Sequence, residues 1–234
     1  MEYLKKTWFG VPCATILTLL AGSASAALLA PSFQGFPSLP GQAMLRAMAV
    51  SADGSVVVGY GQYNARSAAV RWSAREGIVG LTTGPGLSNA VAQGVSADGS
   101  VIVGRVYAPA PGTLTGWADR AFRWTTEQGM ILLDKAPGAT DHSATAVSND
   151  GQVTVGYAQG SSGGQMALRW TADGKVRVLG SLGSSRGYTF ADGVSADGSV
   201  VVGTSNLQMF RWTEAEGMVK LGSGGAYDAS DDGS

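Results

Sequence analysis

The sequence predicts an all-β fold, and three observations carry that prediction. A Ser-x-Asp-Gly phrase recurs at Ser51, Ser96, Ser148, Ser195 and Ser230 of 234 residues. Around it the apolar residues alternate with period two rather than 3.6, the spacing of strands and not of helices. Glycine supplies 35 residues, and charged residues only 14% of the chain against about 25% in ordinary domains. Such a composition, rich also in Val, Thr and Ser, suits short strands joined by tight turns.

Each unit supplies its elements in the same order, and the second serves as the template. Asn89 to Ser96 reads as a first strand. Ala97-Asp98-Gly99 is a turn that the aspartate closes with its side chain, while the glycine takes the positive φ that other residues avoid. Ser100 to Val106 is a second strand, and its glycine, Gly104, matches Gly59, Gly156 and Gly203 of the other units. After a connection of variable length comes the third strand, Arg120 to Thr125, with Ala121, Arg123 and Thr125 on one face and Phe122 and Trp124 on the other. A turn from Thr126 to Gly129 leads into a fourth strand, Met130 to Leu133. Four antiparallel strands in about 45 residues is the size of one β-propeller blade.

The expected architecture is therefore a β-propeller-like array of four-stranded antiparallel blades at about 43–83, 88–135, 140–182 and 187–222. Gly35 to Gly41 resembles the end of an earlier fourth strand. Residues 226–234 supply only a first strand and its turn, so the array is expected to be incomplete at its C-terminus, with the open edge that natural sheets avoid.

Ahead of the array, residues 1–26 read as a secretory signal peptide. Lys5 and Lys6 precede an apolar stretch from Trp8 to Leu20, and Ala24-Ser25-Ala26 is a small-x-small cleavage site. The stretch is shorter than the roughly 20 apolar residues a membrane span requires, so no transmembrane segment is expected in the mature chain 27–234. Cleavage removes Cys13, the only cysteine, and leaves a domain that must be stable by packing alone.

Ala-Val-Ser-x-Asp-Gly-Ser-Val-Val-Val-Gly, then Ala-Phe-Arg-Trp-Thr, then Gly-Met-x-x-Leu-Gly resembles the HAF-type repeats of bacterial extracellular proteins. The resemblance covers residues 43–234 and implies export, a propeller-like β fold and no defined activity. One departure is visible: the histidine of the repeat is replaced by Arg120, and by Ala68 and Met166 in the first and third units.

Residues common to all units hold a repeat together, and residues unique to one unit carry function. Asp53, Asp98, Asp150 and Asp197, with Gly54, Gly99, Gly151 and Gly198, are accordingly read as structural turn residues and not as catalytic or metal-binding ones. Trp72, Trp124, Trp170 and Trp212 recur at one strand position and are expected to fill the core between blades, burying on the order of 200 Å² each. The arginine before each tryptophan faces the other way, within reach of the turn aspartates.

The unique sequence lies in the connections 60–67, 105–119 and 157–165. The second is the longest, and its Tyr107 and Trp117 are the candidate ligand residues. Nothing points to catalysis. His142 is the only histidine, no nucleophile elbow accompanies it, and Gly160 to Gly164 lacks the Lys-Ser/Thr of a phosphate loop. Asp228, Asp231 and Asp232 form an oxygen-rich cluster, but Asp232 is the ordinary turn aspartate of the last unit. No cofactor, metal or catalytic residue is expected, and a net charge of −1 gives no reason to expect nucleic acid.

The function expected is that of an exported binding or scaffold module, extracellular, at the cell surface or in the periplasm, with a glycan or a surface protein as partner. Two other classes are open. A propeller-type glycoside-active enzyme would need acids outside the repeat pattern, drawn from Glu76, Asp119, Glu127, Asp134, Asp141, Asp192, Glu214 and Glu216. A structural passenger domain would leave the function to another part of a surface-anchored protein.

Overall fold

The computed structural model describes residues 44–63, 66–81, 83–161, 163–183 and 187–233; the expected signal peptide at 1–26 and the expected exit turn at 35–41 lie outside them. Among the described residues sixteen strands form four sheets. The first blade is β1 (Met44–Val50), β2 (Val56–Tyr63), β3 (Arg66–Ser73) and β4 (Gly77–Gly80). The second is β5 (Ser88–Val95), β6 (Ile102–Pro109), β7 (Trp117–Thr125) and β8 (Gly129–Leu132). The third is β9 (Ala139–Val147), β10 (Val153–Gly160), β11 (Gln165–Thr171) and β12 (Val176–Val178). The fourth is β13 (Thr189–Val194), β14 (Val200–Ser205), β15 (Gln208–Thr213) and β16 (Gly217–Ser223). Every sheet is antiparallel with its strands in chain order.

The blades stand in a row. The second and third strands of each blade pack on the first strand of the next, and the first strands lie beside one another. The core consequently sits between blades, in three layers. Val56, Val58 and Ala69 of the first blade meet Ala90, Ile102 and Phe122 of the second. Val101, Val103 and Ala121 meet Ala144, Leu168 and Trp170. Val153, Val155 and Ala167 meet Val201, Phe210 and Trp212. Each layer is built by period-two alternation: Ala121 faces forward and Phe122 backward along the same strand.

The Ser-x-Asp-Gly turns close one end of the array. In the second blade Asp98 accepts from Ser96 Oγ (2.6 Å) and from the Ser100 N–H (2.9 Å), while Ser96 Oγ accepts from the Val101 N–H (3.0 Å). These bonds favour the ionised aspartate. Asp53 and Asp197 are held down to about 2, chiefly by the backbone N–H two residues on and then by the serine hydroxyl. The turns are also tied to one another. The N–H of Ala52 donates to the Ala97 carbonyl (3.0 Å), Ala97 to Asn149 (3.1 Å), Asn149 to Ala196 (3.0 Å) and Ala196 to Asp231 (3.0 Å). The fifth turn thus continues the chain of bonds with the same contact its predecessors make. Gly99, at φ +72°, sits so close to Val56 of the preceding blade that a Cβ would lie 2.5 Å from its Cγ2.

The arginines before the tryptophans do not pair with the turn aspartates. Arg71 bonds Glu76, Arg211 bonds Glu216 (2.8 Å), and Arg123 Nη2 reaches the Gly151 carbonyl (3.4 Å). Three of the four arginines are engaged elsewhere, Arg71 and Arg211 by the glutamate five residues on and Arg123 by the next blade.

Candidate functional site

The end of the array opposite the turns carries the long hairpins and holds the residues unique to single blades. The stretch 105–119 is less of a loop than its sequence suggests. Pairing continues through Tyr107↔Asp119 to Pro109↔Trp117, so only residues 110–116 remain as connection. Tyr107 and Trp117 are consequently strand residues held at fixed positions. Their rings stack at 5.6 Å and 14°, and Trp117 is 37% exposed.

The pair lines a recess of about 530 Å³ that crosses from the first blade to the second, with Arg66, Leu87, Ser88 and Asn89 on its other walls. Asn89 adopts φ +49°, a conformation that costs a non-glycine residue about 1–3 kcal/mol unless the surroundings hold it. Its Oδ1 accepts the Ser67 N–H (3.1 Å) and joins the two blades there.

One interface further along the array, Asp141 stands in the place of Asn89 and accepts the Asp119 N–H (2.9 Å). The recess at this station, about 400 Å³, is polar. Arg105 and Asp119 form an ion pair at 2.9 Å on one wall, with Asp141, His142, Tyr157 and Gln165 on the others. His142 is buried, its Nε2 accepting the Ala136 N–H (3.0 Å), which leaves the proton on Nδ1. That N–H makes no well-formed hydrogen bond, only a weak interaction with the Thr140 carbonyl. Oε1 of Gln165 is buried and has no partner. Arg120 donates from Nη2 to the Leu133 carbonyl (2.8 Å).

The four tryptophans differ in burial. Trp170 and Trp212 are buried against the preceding blade, Trp124 is half-buried against the first, and Trp72, which belongs to the first blade, is half-buried. Trp170 also donates its indole N–H to the Asp134 carbonyl (2.9 Å). Of the carboxylates outside the repeat pattern, Glu76, Glu214 and Glu216 bond arginines, and Asp119 and Asp141 stand together at the polar recess.

Asp192 has a setting the sequence did not disclose. In every first strand one residue bulges out between two register positions: Met48, Gln93, Thr145 and Asp192. Gln93 and Thr145 reach the next blade, at Ser143 Oγ (2.7 Å) and the Ala191 carbonyl (2.7 Å). Burial raises Asp192 to about 6. His142 is lowered to about 4, first by burial and then by the charges of Arg120 and Lys135, against a smaller opposing effect of Asp141.

These two shifts pull stability in opposite directions between pH 6.5 and 4. The unfolded chain protonates histidine where the folded one does not, so His142 costs about 3 kcal/mol on acidification from its ordinary 6.5 to about 4. Folded Asp192 takes up its proton near 6, before the unfolded chain does, and returns about 1–2 kcal/mol after allowance for its partial exposure. Urea midpoints at pH 7 and 4 should therefore fall modestly for the native protein and more steeply for Asp192→Asn. For His142→Gln the fall should be smaller than in the native protein, what remains coming from the turn aspartates held at about 2; a fall as steep as in the native protein would contradict the assignment.

No protein-family model and no curated protein matches this sequence. Among solved structures the fold is similar to TolB from Acinetobacter baumannii, at 14% identity and a TM-score of 0.51 over 77% of this chain and 45% of that one. It is similar to the putative TolB from Agrobacterium tumefaciens at 16% identity and 0.51, over 79% of this chain and 69% of that one. A chain of a nidogen/laminin complex is similar at 12% identity and 0.51, over 84% and 72%. At these identities the likeness defines the fold. This is a β-propeller protein, whose four described blades span 45% of the first of these chains and about 70% of the other two. Among the described residues no helix is long and apolar enough to cross a membrane.

Proposed function

We propose that this chain is an exported, non-catalytic binding module of the HAF-repeat type, acting outside the cytoplasm through the hairpin end of its propeller. The observation that carries the reading is the stacked Tyr107–Trp117 pair, rigid on paired strands and partly open to solvent at the mouth of a recess. Large aromatic surface held in one conformation binds at small entropic cost, which is why such side chains dominate recognition sites. The pair belongs to one blade only, whereas the turn aspartates and serines bond to one another within every repeat. The signal-like segment 1–26 supports export, and with it a surface glycan or surface protein as partner.

The test is retention of the purified protein on bacterial cell-wall material and on host-cell surfaces, native against Trp117→Ala. Trp117→Ala should lower retention at least about tenfold, the range of a binding hot spot. Its melting temperature should stay within a degree or two, because the side chain is partly exposed. Equal retention by Trp117→Ala and Tyr107→Ala would remove the aromatic pair from the binding face.

A further inference from the structure

The aromatic recess and the polar recess are parts of one surface. Tyr107 and Arg105 are two residues apart on β6, and Trp117 and Asp119 are two apart on β7, so each couple lies on one side of its strand about 6.5 Å apart. The first recess ends at the aromatic pair, and the second begins at the Arg105–Asp119 ion pair. Resting on the binding role proposed above, we infer that the two recesses are consecutive subsites for a neutral saccharide chain, one ring against Tyr107 and Trp117 and the next in the polar recess.

The chemistry of the walls selects this class. Two residues that line the polar recess hold buried polar atoms short of partners: His142, whose Nδ1–H has only a weak interaction, and Gln165, whose Oε1 has none. A buried polar group left unpaired is destabilising, so a ligand that reaches and pairs either one gains affinity. A hydroxyl donates and accepts at one position, and a sugar ring carries several. The charges are balanced: Arg66 and Arg105 against Asp119 and Asp141, with Arg105 and Asp119 already paired. A balanced groove gives no field to attract a polyanion or a polycation. The aromatic station complements it, because the face of a sugar ring is lined by C–H groups that pack on an aromatic plane while its hydroxyls point outward. An extended peptide would instead seek a free strand edge, and the inner hairpin strands β6 and β7 are paired on both sides.

The experiment is calorimetric titration of the full chain with β-glucan, mannan and N-acetylglucosamine pentasaccharides and with the corresponding monosaccharides. At least one pentasaccharide should bind, and its monosaccharide, held at the aromatic station alone, should bind about tenfold more weakly. Gln165→Leu, and separately Tyr157→Phe, should bring the pentasaccharide down towards the monosaccharide's affinity and leave the monosaccharide unchanged. Tyr157→Phe keeps the ring that packs edge-on against Phe190 (5.1 Å), so it tests the recess without disturbing the fold. Trp117→Ala should weaken both lengths.

Absence of binding by every pentasaccharide at millimolar concentration would overturn the saccharide assignment. If surface retention still depended on Trp117, the binding role itself would stand. Loss with Trp117→Ala but full chain-length dependence in both recess variants would overturn the second subsite alone. Tighter binding of an acidic oligosaccharide or a peptide than of any neutral pentasaccharide would also refute the inference.

Discussion

Gly104→Ala should cost about 3–5 kcal/mol, at or above the upper end of what overpacking usually does. Gly104 lies opposite the bulge at Gln93, where β5 turns the Val91 carbonyl inward over β6. A Cβ on Gly104 would fall far inside the contact distance of that oxygen and 3.0 Å from a ring carbon of Phe122. Neither can step aside. The oxygen belongs to the backbone of a paired strand, and Phe122 is fully buried between the first two blades. Gly80 supplies the control, since a Cβ there meets nothing within 4 Å and its φ lies outside the left-handed region. Gly80→Ala should be neutral or slightly stabilising, because alanine restricts the unfolded chain more than glycine does. Urea unfolding of the two variants decides the matter: similar midpoints would mean that the glycine within each second strand is not a packing requirement.

That glycine shows how far the fold could be read from sequence. The repeat disclosed the four-strand blade, the aspartate turn and the strand order because each rests on local chemistry: alternation, a side chain closing a turn, a glycine at positive φ. The bulge is local too, but period-two reading passes over it, since one extra residue shifts the alternation without breaking it. The only trace it leaves in the chain is the glycine on the partner strand. The contents of the two recesses were legible in part. Tyr107 and Trp117 stood out by being unique to one unit. Arg66, Asn89 and Gln165 did not, because their meaning comes from a neighbouring blade. The pairing of Asn89 with Ser67 and of Asp141 with Asp119 is a property of blade stacking, and no spacing within one repeat encodes it. The misplaced expectation about the arginines has the same origin. Proximity to the aspartates was inferred within a unit, whereas Arg123 bonds the turn backbone of the next one.

Trp170→Ala should cost about 4–5 kcal/mol and should also change how the protein unfolds. The side chain is fully buried between the second and third blades, where truncation of a large aromatic typically costs about 3–5 kcal/mol. Removing the indole N–H also leaves the Asp134 carbonyl without its 2.9 Å donor, for about 1 kcal/mol more. In a row of blades, stability is a sum of blade terms and nearest-neighbour interface terms, and cooperativity depends on the interfaces. Trp170 sits at the middle interface of the four described blades, so its loss uncouples the first pair from the second. The urea transition should broaden or divide into two, with an apparent m-value below that of the native protein. Trp72→Ala belongs to the first blade and removes a half-buried side chain. It should therefore cost about 1–2 kcal/mol and leave the m-value unchanged. Equal losses for the two variants would show that the tryptophans stabilise their own blades and not the contacts between them. A single sharp transition in Trp170→Ala would show that the turn-to-turn hydrogen bonds alone keep the row cooperative.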